Sequence, residues 1–579
     1  VNAFKAKVDR GPKIKFGIEV PRSPRHAMEL DTMNGTNVWK ESMGKELGQI
    51  NEYETFRILE ADELLPDTYK KIPYHMVFDV KFDLRRKARL VAGGNWTDPP
   101  KEDIYSGVVS LDTIQLGFSL ASLNGLTVCA ADVSNAFLYG RTKEQTFVIA
   151  GPKFGPEVEG KRLVINKGLY GLRSSAARFH EHLASKLRAI GFKPSRVDND
   201  FWIRKKEDHY EYLATYVDDI LAFSRDPMGI IEVIQKSYSL KGVGTPEYYL
   251  GGNIDDVSDK QWVSDGVLIA LSARTYIANV MEKLETLCGV EQFAKANCPM
   301  SDLYHPELDE SPLLDDMHAS KYRALIGSAN WVITLGRFDI AYATMALARH
   351  SMAPREGHFK AMQRVFGYLR KHQKGRILID PGQFDHSDYQ AEEYENWREF
   401  YPDADEEMPP DQPEPLGSKA RITIYVDADH AHDMLTRRSV TGIILFINKT
   451  PVKWISKRQK TVETSTYGSE LVASRIATDL AIEYRYALRM LGVNVDGPAM
   501  MFGDNKSVII NTTMPSSQLK KKHNAVAYHR VREAIAAQII SFFHVPSASN
   551  FADILTKPLS SSSFYKLVKP LLFRAPKWM

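Results

Sequence analysis

The chain has 579 residues, 44% hydrophobic and 25% charged, which is more than one core usually serves and predicts three or more compact units. No apolar run approaches the length needed to cross a bilayer, which excludes membrane-spanning helices, and three cysteines (Cys129, Cys288, Cys298) without CxxC or Cys/His spacing exclude a structural zinc site. The net charge of +3 conceals an uneven distribution: residues 381–418 hold 12 Asp/Glu against one Arg, so the remainder is strongly basic and suits a polyanionic partner.

In chain order, the sequence opens at Val1 with a basic stretch lacking the apolar centre of a signal peptide, as expected of a piece cut from a longer polypeptide. From about 36 to 245, short β-type runs alternate with helical patterns. "TVCAADVSNAF" predicts a buried strand and a short helical turn, with Asp132 at the strand's C-terminal end. In "SSAARFHEHLASKLRAIGFKP", Phe179, Leu183, Leu187 and Ile190 recur at helical spacing, with Ser174 or Ser175 as N-cap and Gly191 closing the helix. "YLATYV" and "ILAF" have strand composition and meet at Asp218 and Asp219, predicting a hairpin with two carboxylates at its tip. That turn lacks the usual Gly or Asn, so local backbone strain is expected.

Residues 265–375 read mostly as helices. The acidic, proline-bearing stretch 381–418 has few aliphatic residues to bury and reads as an exposed linker. After it, "ARITIYVDADHAHD" is an apolar strand interrupted at Asp427, and three further acids follow in separate elements: Glu470, Asp504 and Asp553.

Adjacent carboxylates repel each other, and burying them without a partner raises their pKa or destabilises the fold. A divalent cation removes that objection. Two magnesium ions about 3.5–4 Å apart can activate a nucleophile and hold the leaving group in phosphoryl transfer. Asp132 is the candidate third acid for Asp218 and Asp219.

"YVDD", "ADVSNAFLYG" and "KGLYGLRSSAARFH" resemble the reverse transcriptase of copia-type LTR retrotransposons. "KARLVAGG", "YYLGGNI", "YRALIGSANWVI" and "GRFDIAYA" match in the family's order, and the resemblance runs from Trp39 to Leu559. It implies that Asp132, Asp218 and Asp219 are metal-binding catalytic acids. It also implies that Lys87 and Arg89 hold the incoming triphosphate and that Phe137 excludes a ribose 2′-hydroxyl. Ser174 stands where the family has a glutamine against the nucleotide, so that contact is weakened here or supplied otherwise.

Asp427, Glu470, Asp504 and Asp553 resemble the four-acid ribonuclease H site, supported by "RRSVTGIILFINKTPVKWISKRQ" and "KKHNAVAYHRVREAI". A related retroviral site has a histidine loop after its "VP". Here "HVPSASNFAD" is shorter, with Ala548 near that position, and neither His544 nor another histidine is assigned to the role. Lys520, Lys521, Lys522 and His523 form a basic run that reads as a solvated face or as a phosphate contact.

The expected fold is a multidomain α/β chain: a right-hand polymerase of fingers, palm and helical thumb, followed by a ribonuclease H-like mixed α/β domain. Its boundaries are an N-terminal extension (1–35), fingers and palm (36–250), helical thumb or connecting region (251–380), acidic linker (381–418), ribonuclease H (419–560) and C-terminal tail (561–579). The implied function is RNA- and DNA-directed DNA synthesis with degradation of RNA in RNA–DNA hybrids, as part of a Gag-Pol polyprotein. The implied cofactor is magnesium in both sites, with manganese as its substitute. The implied partners are an RNA template, a DNA or tRNA primer, the hybrid and deoxynucleoside triphosphates, with an oligomer compatible and no membrane. The expected location is cytoplasmic, in virus-like particles, with a nuclear stage compatible. The rival reading is a domesticated, catalytically inactive nucleic-acid-binding protein.

Overall fold

Alternation along the Thr127–Val133 strand decides the first half of the computed structural model, which describes residues 11–573 apart from 16, 61–62, 82–83, 98–103, 259–265, 267–268, 390–393, 395 and 520–521. Cys129, Ala131 and Val133 enter one apolar core, beneath Phe179, Leu183 and Leu187 of the Ser175–Ala189 helix. Val128 enters another, against Phe118 and Leu120 of the Leu111–Asn124 helix. A sheet buried on both faces results. Its six strands are antiparallel, in the order Lys193–Pro194, Phe201–Lys205, Tyr210–Tyr216, Asp219–Ser224, Thr127–Val133 and Leu240–Gly244.

A separate core joins the Val38–Glu52 helix to the Tyr74–Val80 and Arg86–Ala92 hairpin. The Pro24–Asn34 helix adds Ala27 and Leu30 to it, so the last third of the expected N-terminal extension is folded structure.

Residues 274–371 form four long or medium helices, Arg274–Cys288, Asp316–Thr334, Ala341–Ala348 and Glu356–Lys371. A four-stranded antiparallel sheet, not anticipated from the sequence, brackets them, because Arg376–Ile379 returns after the last helix to pair with Ile269–Ser272. Between the helices lies a buried ion pair from the "GRFD" motif. Arg337 donates to both oxygens of Asp339 at 2.9 and 2.7 Å, Tyr368 donates to the same carboxylate at 2.7 Å, and both charged side chains are at most 1% exposed. The motif's aspartate is thus structural. Asp339→Ala leaves an uncompensated buried guanidinium and is expected to cost about 3–5 kcal/mol. An unaltered calorimetric unfolding profile would refute this.

The second large sheet is mixed, with the order Thr450–Arg458, Val440–Ile447, Ile422–Asp429, Ala499–Gly503 and Ile540–His544, and Ala499–Gly503 runs parallel to both its neighbours. The Thr466–Met490 helix packs on it.

Residues 381–418 do not behave as an exposed linker. Phe384 packs edge-on against Phe446, and Trp397 is buried with Arg532 5.0 Å from its ring centre. Glu406 accepts from both Arg485 and Arg489 at 2.5–2.7 Å, and Leu416–Ala420 pairs in parallel with Val493–Val495. The segment also clasps the first sheet through Arg196–Asp411 at 2.9 Å and Lys205–Glu414 at 2.6 Å. Acids matched to arginines, and apolar area supplied by aromatic rather than aliphatic residues, explain the difference.

The expected C-terminal tail is likewise packed: Ser561–Leu572 is a helix that buries Phe564, Leu567, Val568, Leu571 and Leu572. One apolar cluster runs from the Leu111–Asn124 helix through the helical region into the second sheet.

Candidate active sites

The first site begins with a turn. Tyr216 pairs with Asp219 across the hairpin, leaving Val217 and Asp218 as its two loop residues, and Val217 adopts φ +56°. A β-branched residue in the left-handed region is strained, as the missing Gly or Asn suggested. The Asp218 carbonyl accepts the Val133 N–H at 2.8 Å, which fixes the turn to the neighbouring strand. There Asp219 lies directly opposite Asp132.

Three half-buried acids therefore share one end of the sheet. Burial, then repulsion from Asp132, raises the pKa of Asp218. Burial, then Asp218 and Asp132, pushes Asp219 up to about 6. The compensating cation is one that sequence reasoning missed. Lys241 pairs with Asp132 in strand register, and its ammonium lies 2.8 Å from the carboxylate.

Lys87 and Arg89 alternate onto one face of the Arg86–Ala92 strand, with the buried Glu46 as their shared counter-charge. Burial lowers the pKa of Lys87, and Arg89 and Lys241 lower it further. Arg89 sits 4.7 Å from the centre of the Tyr170 ring, and Phe137 meets that ring at 5.0 Å. Arg89 is also close enough to Asp218 to favour its charged form. Tyr170 thus links Arg89, Phe137 and the carboxylates, a role its place in "KGLYG" did not disclose. Ser174 is different: buried, it gives both its N–H and its hydroxyl to Glu144, at 2.8 and 2.6 Å. Its hydroxyl is already engaged and does not face the acids.

The second site uses a strand, a helix, a strand end and a short 3-10 turn. Asp427 stands in Ile422–Asp429, Glu470 in the first turns of Thr466–Met490, and Asp504 directly after Ala499–Gly503. One carboxylate oxygen from each lies within 4.8 Å of the others. Asp427 and Glu470 are buried, and Glu470 is held well above the usual carboxylate range by burial and by Asp427 and Asp504.

Asp553, in Phe551–Leu555, joins from the side of Asp427, its pKa raised by burial and by that neighbour. The Lys557 ammonium lies 3.1 Å from Asp553 and 3.6 Å from Asp427, and the Thr556 hydroxyl donates to Asp427. Neither residue was singled out from "LTKPL".

At the shortened loop Ser547 donates to Asp504 at 2.6 Å, and His544 ends its strand opposite Gly503. In the basic run, Lys520 and Lys521 lie outside the described residues. His523, half exposed, faces Glu463 at 3.5 Å rather than a binding groove.

Both groups of acids offer only oxygen donors, which magnesium or manganese suits and which soft-metal chemistry does not; among the described residues, converging donor atoms are found for Asp427, Glu470 and Asp504.

The reverse transcriptase (RNA-dependent DNA polymerase) family matches residues 53–295, which contain Lys87, Arg89, Asp132, Phe137, Asp218 and Asp219. The Pol polyprotein of transposon RE1 of Arabidopsis thaliana is 24% identical over 540 residues, 91% of this chain and 33% of that protein. The Pol polyprotein of transposon TNT 1-94 of Nicotiana tabacum is 25% identical over 578 residues, covering 95% and 39% respectively. Over residues 53–295 the chain is thus similar to reverse transcriptases of retrotransposon Pol polyproteins.

The chain spans about a third of the length of the curated relatives it matches. Among solved structures, a foamy viral protease–reverse transcriptase in complex with RNA/DNA hybrid aligns over 88% of this chain and 54% of that one, at 12% identity and a TM-score of 0.41. The reverse transcriptase match ends before the second carboxylate cluster, which therefore stands on its own geometry.

Proposed function

We propose that the chain copies retrotransposon RNA into DNA at the first site, extends DNA on a DNA template there, and degrades hybrid RNA at the second. The observation that carries this reading is the pairing of Asp219 with Asp132, with Asp218 on the adjoining strained turn. Asp132, Asp218 and Asp219 hold magnesium at the first site, and Asp427, Glu470, Asp504 and Asp553 hold it at the second. Manganese is its substitute. When bound, the metal activates the attacking oxygen and stabilises charge on the leaving oxygen.

The chain's own residues do the rest. Lys87 offers a point charge and Arg89 a flat bidentate fork to the triphosphate. Lys241 gives Asp132 an ammonium partner until substrate arrives. Fingers and palm correspond to 36–250, the helical thumb or connecting region to 251–380, and ribonuclease H to 419–560, in a right-hand arrangement. The partners are template RNA, a DNA or tRNA primer, the hybrid and deoxynucleoside triphosphates, and the setting is a cytoplasmic virus-like particle. Among the described residues no helix is long and apolar enough to cross a membrane. An inactive, domesticated binding protein is disfavoured by the intact set of seven acids.

The test is primer extension on an RNA template beside release of labelled RNA from a hybrid, with and without chelator. A folded chain that does neither in magnesium or manganese would refute the proposal.

Sugar choice supplies a further check. Phe137, set against Tyr170 near Arg89, bars a 2′-hydroxyl by exclusion rather than attraction. Phe137→Val is expected to raise the ribonucleotide-to-deoxyribonucleotide ratio of kcat/KM by about ten-fold or more. An unchanged ratio in an active variant would return Phe137 to a packing role.

A further inference from the structure

The stretch that follows the Asp427 strand is held from outside its own sheet. Residues 430–439 connect Ile422–Asp429 to Val440–Ile447, and two of them, Ala431 and Arg437, take positive φ (+51° and +54°) without being glycine. Such backbone persists only where its surroundings enforce it. Asp433, buried at the centre of the turn, accepts the N–H groups of Leu435 and Thr436 at 3.2 and 2.8 Å and pairs with Arg349 and Arg458. Glu307 accepts the Met434 N–H at 3.0 Å.

His432 lies between Asp429 and Tyr342, 2.5 Å from each. A carboxylate only accepts, so in the neutral imidazole Nδ1–H donates to Asp429 and leaves Nε2 to accept the Tyr342 hydroxyl. Glu307, Tyr342 and Arg349 all belong to the helical region that precedes residues 381–418. Three consecutive turn residues are thus gripped by a different part of the chain.

What the grip serves is visible at its other end. Asp429 stands two residues after Asp427 on the same strand, hence on the same face. Lys557 holds its ammonium 3.6 Å from Asp427 and 3.1 Å from Asp553.

We propose that Tyr342, acting through His432, fixes Asp429 and with it the strand end that carries Asp427, so that the helical region is a working part of the second site. This rests on the ribonuclease H reading of that site. Tyr342 and His432 are positioning residues, since neither touches the reacting atoms. The same helix backs the site elsewhere: Tyr342 and Ala343 line a narrow crevice with Ile554 and Lys557.

The test uses the full chain and four proteins: parent, Tyr342→Phe, His432→Ala and His432→Asn. Tyr342→Phe is expected to lower kcat for hybrid-RNA release about ten-fold, the usual scale for a group supporting a metal-site ligand, with KM within about two-fold and primer extension unchanged. Amide exchange within 430–438 should quicken in the same variant. His432→Asn, whose amide can replace the Nδ1–H donor, should recover part of the activity that His432→Ala loses.

If the parent cleaves hybrid and Tyr342→Phe has the same kcat, the positioning role is overturned alone. His432→Asn no better than His432→Ala, with both folded, would also overturn it. A parent that extends primers yet leaves hybrid RNA intact would overturn the ribonuclease H reading and this proposal with it.

Discussion

Asp218→Asn combined with Asp219→Asn is expected to reduce primer extension by more than about a thousand-fold, equivalent to about 4 kcal/mol of transition-state stabilisation. RNA release from a hybrid should stay within about two-fold of the parent. Each substitution preserves volume and removes one negative charge from a site where three acids already repel. Because burial and repulsion disfavour the ionised form of Asp219, its raised pKa means that stability is lost as pH rises from the ordinary carboxylate value towards about 6. The neutral variant escapes that loss. Its metal-free melting temperature at pH 7.5 should therefore equal or exceed the parent's, which separates lost chemistry from lost folding. Undiminished extension by a folded double mutant would remove these residues from the polymerase site.

Glu470→Gln should have the converse effect of similar size, abolishing hybrid cleavage while single-nucleotide extension persists. Glu470 is buried against Asp427 and Asp504, and its pKa is already driven well above the usual range. Glutamine fits the same space and can still accept the Ala428 N–H, but it contributes no charge to a cation. The two clusters occupy different sheets, so the first should not register the change. The assay is release of 5′-labelled RNA fragments by protein freed of contaminating nuclease, and cleavage at the parental rate would refute the assignment of Glu470.

Much of the acid framework was legible because each residue interrupts a strong local pattern. Asp132 ends a strand, Asp218 and Asp219 break an apolar run, and Asp427 sits inside an alternating one. Periodicity likewise gave the Ser175–Ala189 helix almost to its ends. The supporting cations were not legible. Lys241 and Lys557 occur in short, unremarkable runs and gain meaning only when strand pairing or a 3-10 turn brings them to an acid.

Residues 381–418 were misread for a related reason. Their acids looked like solvated charge, because Arg485, Arg489, Arg196 and Lys205, which receive them, lie far away in sequence. Ser174 shows the limit of transferring a motif position. A smaller side chain turned inward and found Glu144 instead.

The doubly clasped path of residues 381–418 gives the molecule a ruler. Glu406 ties it to one catalytic unit, while Asp411 and Glu414 tie it to the other, so neither proposed centre can drift from its neighbour without breaking ion pairs. On the proposed reading, the number of base pairs between the point of DNA growth and the point of template cutting is a dimension of the protein.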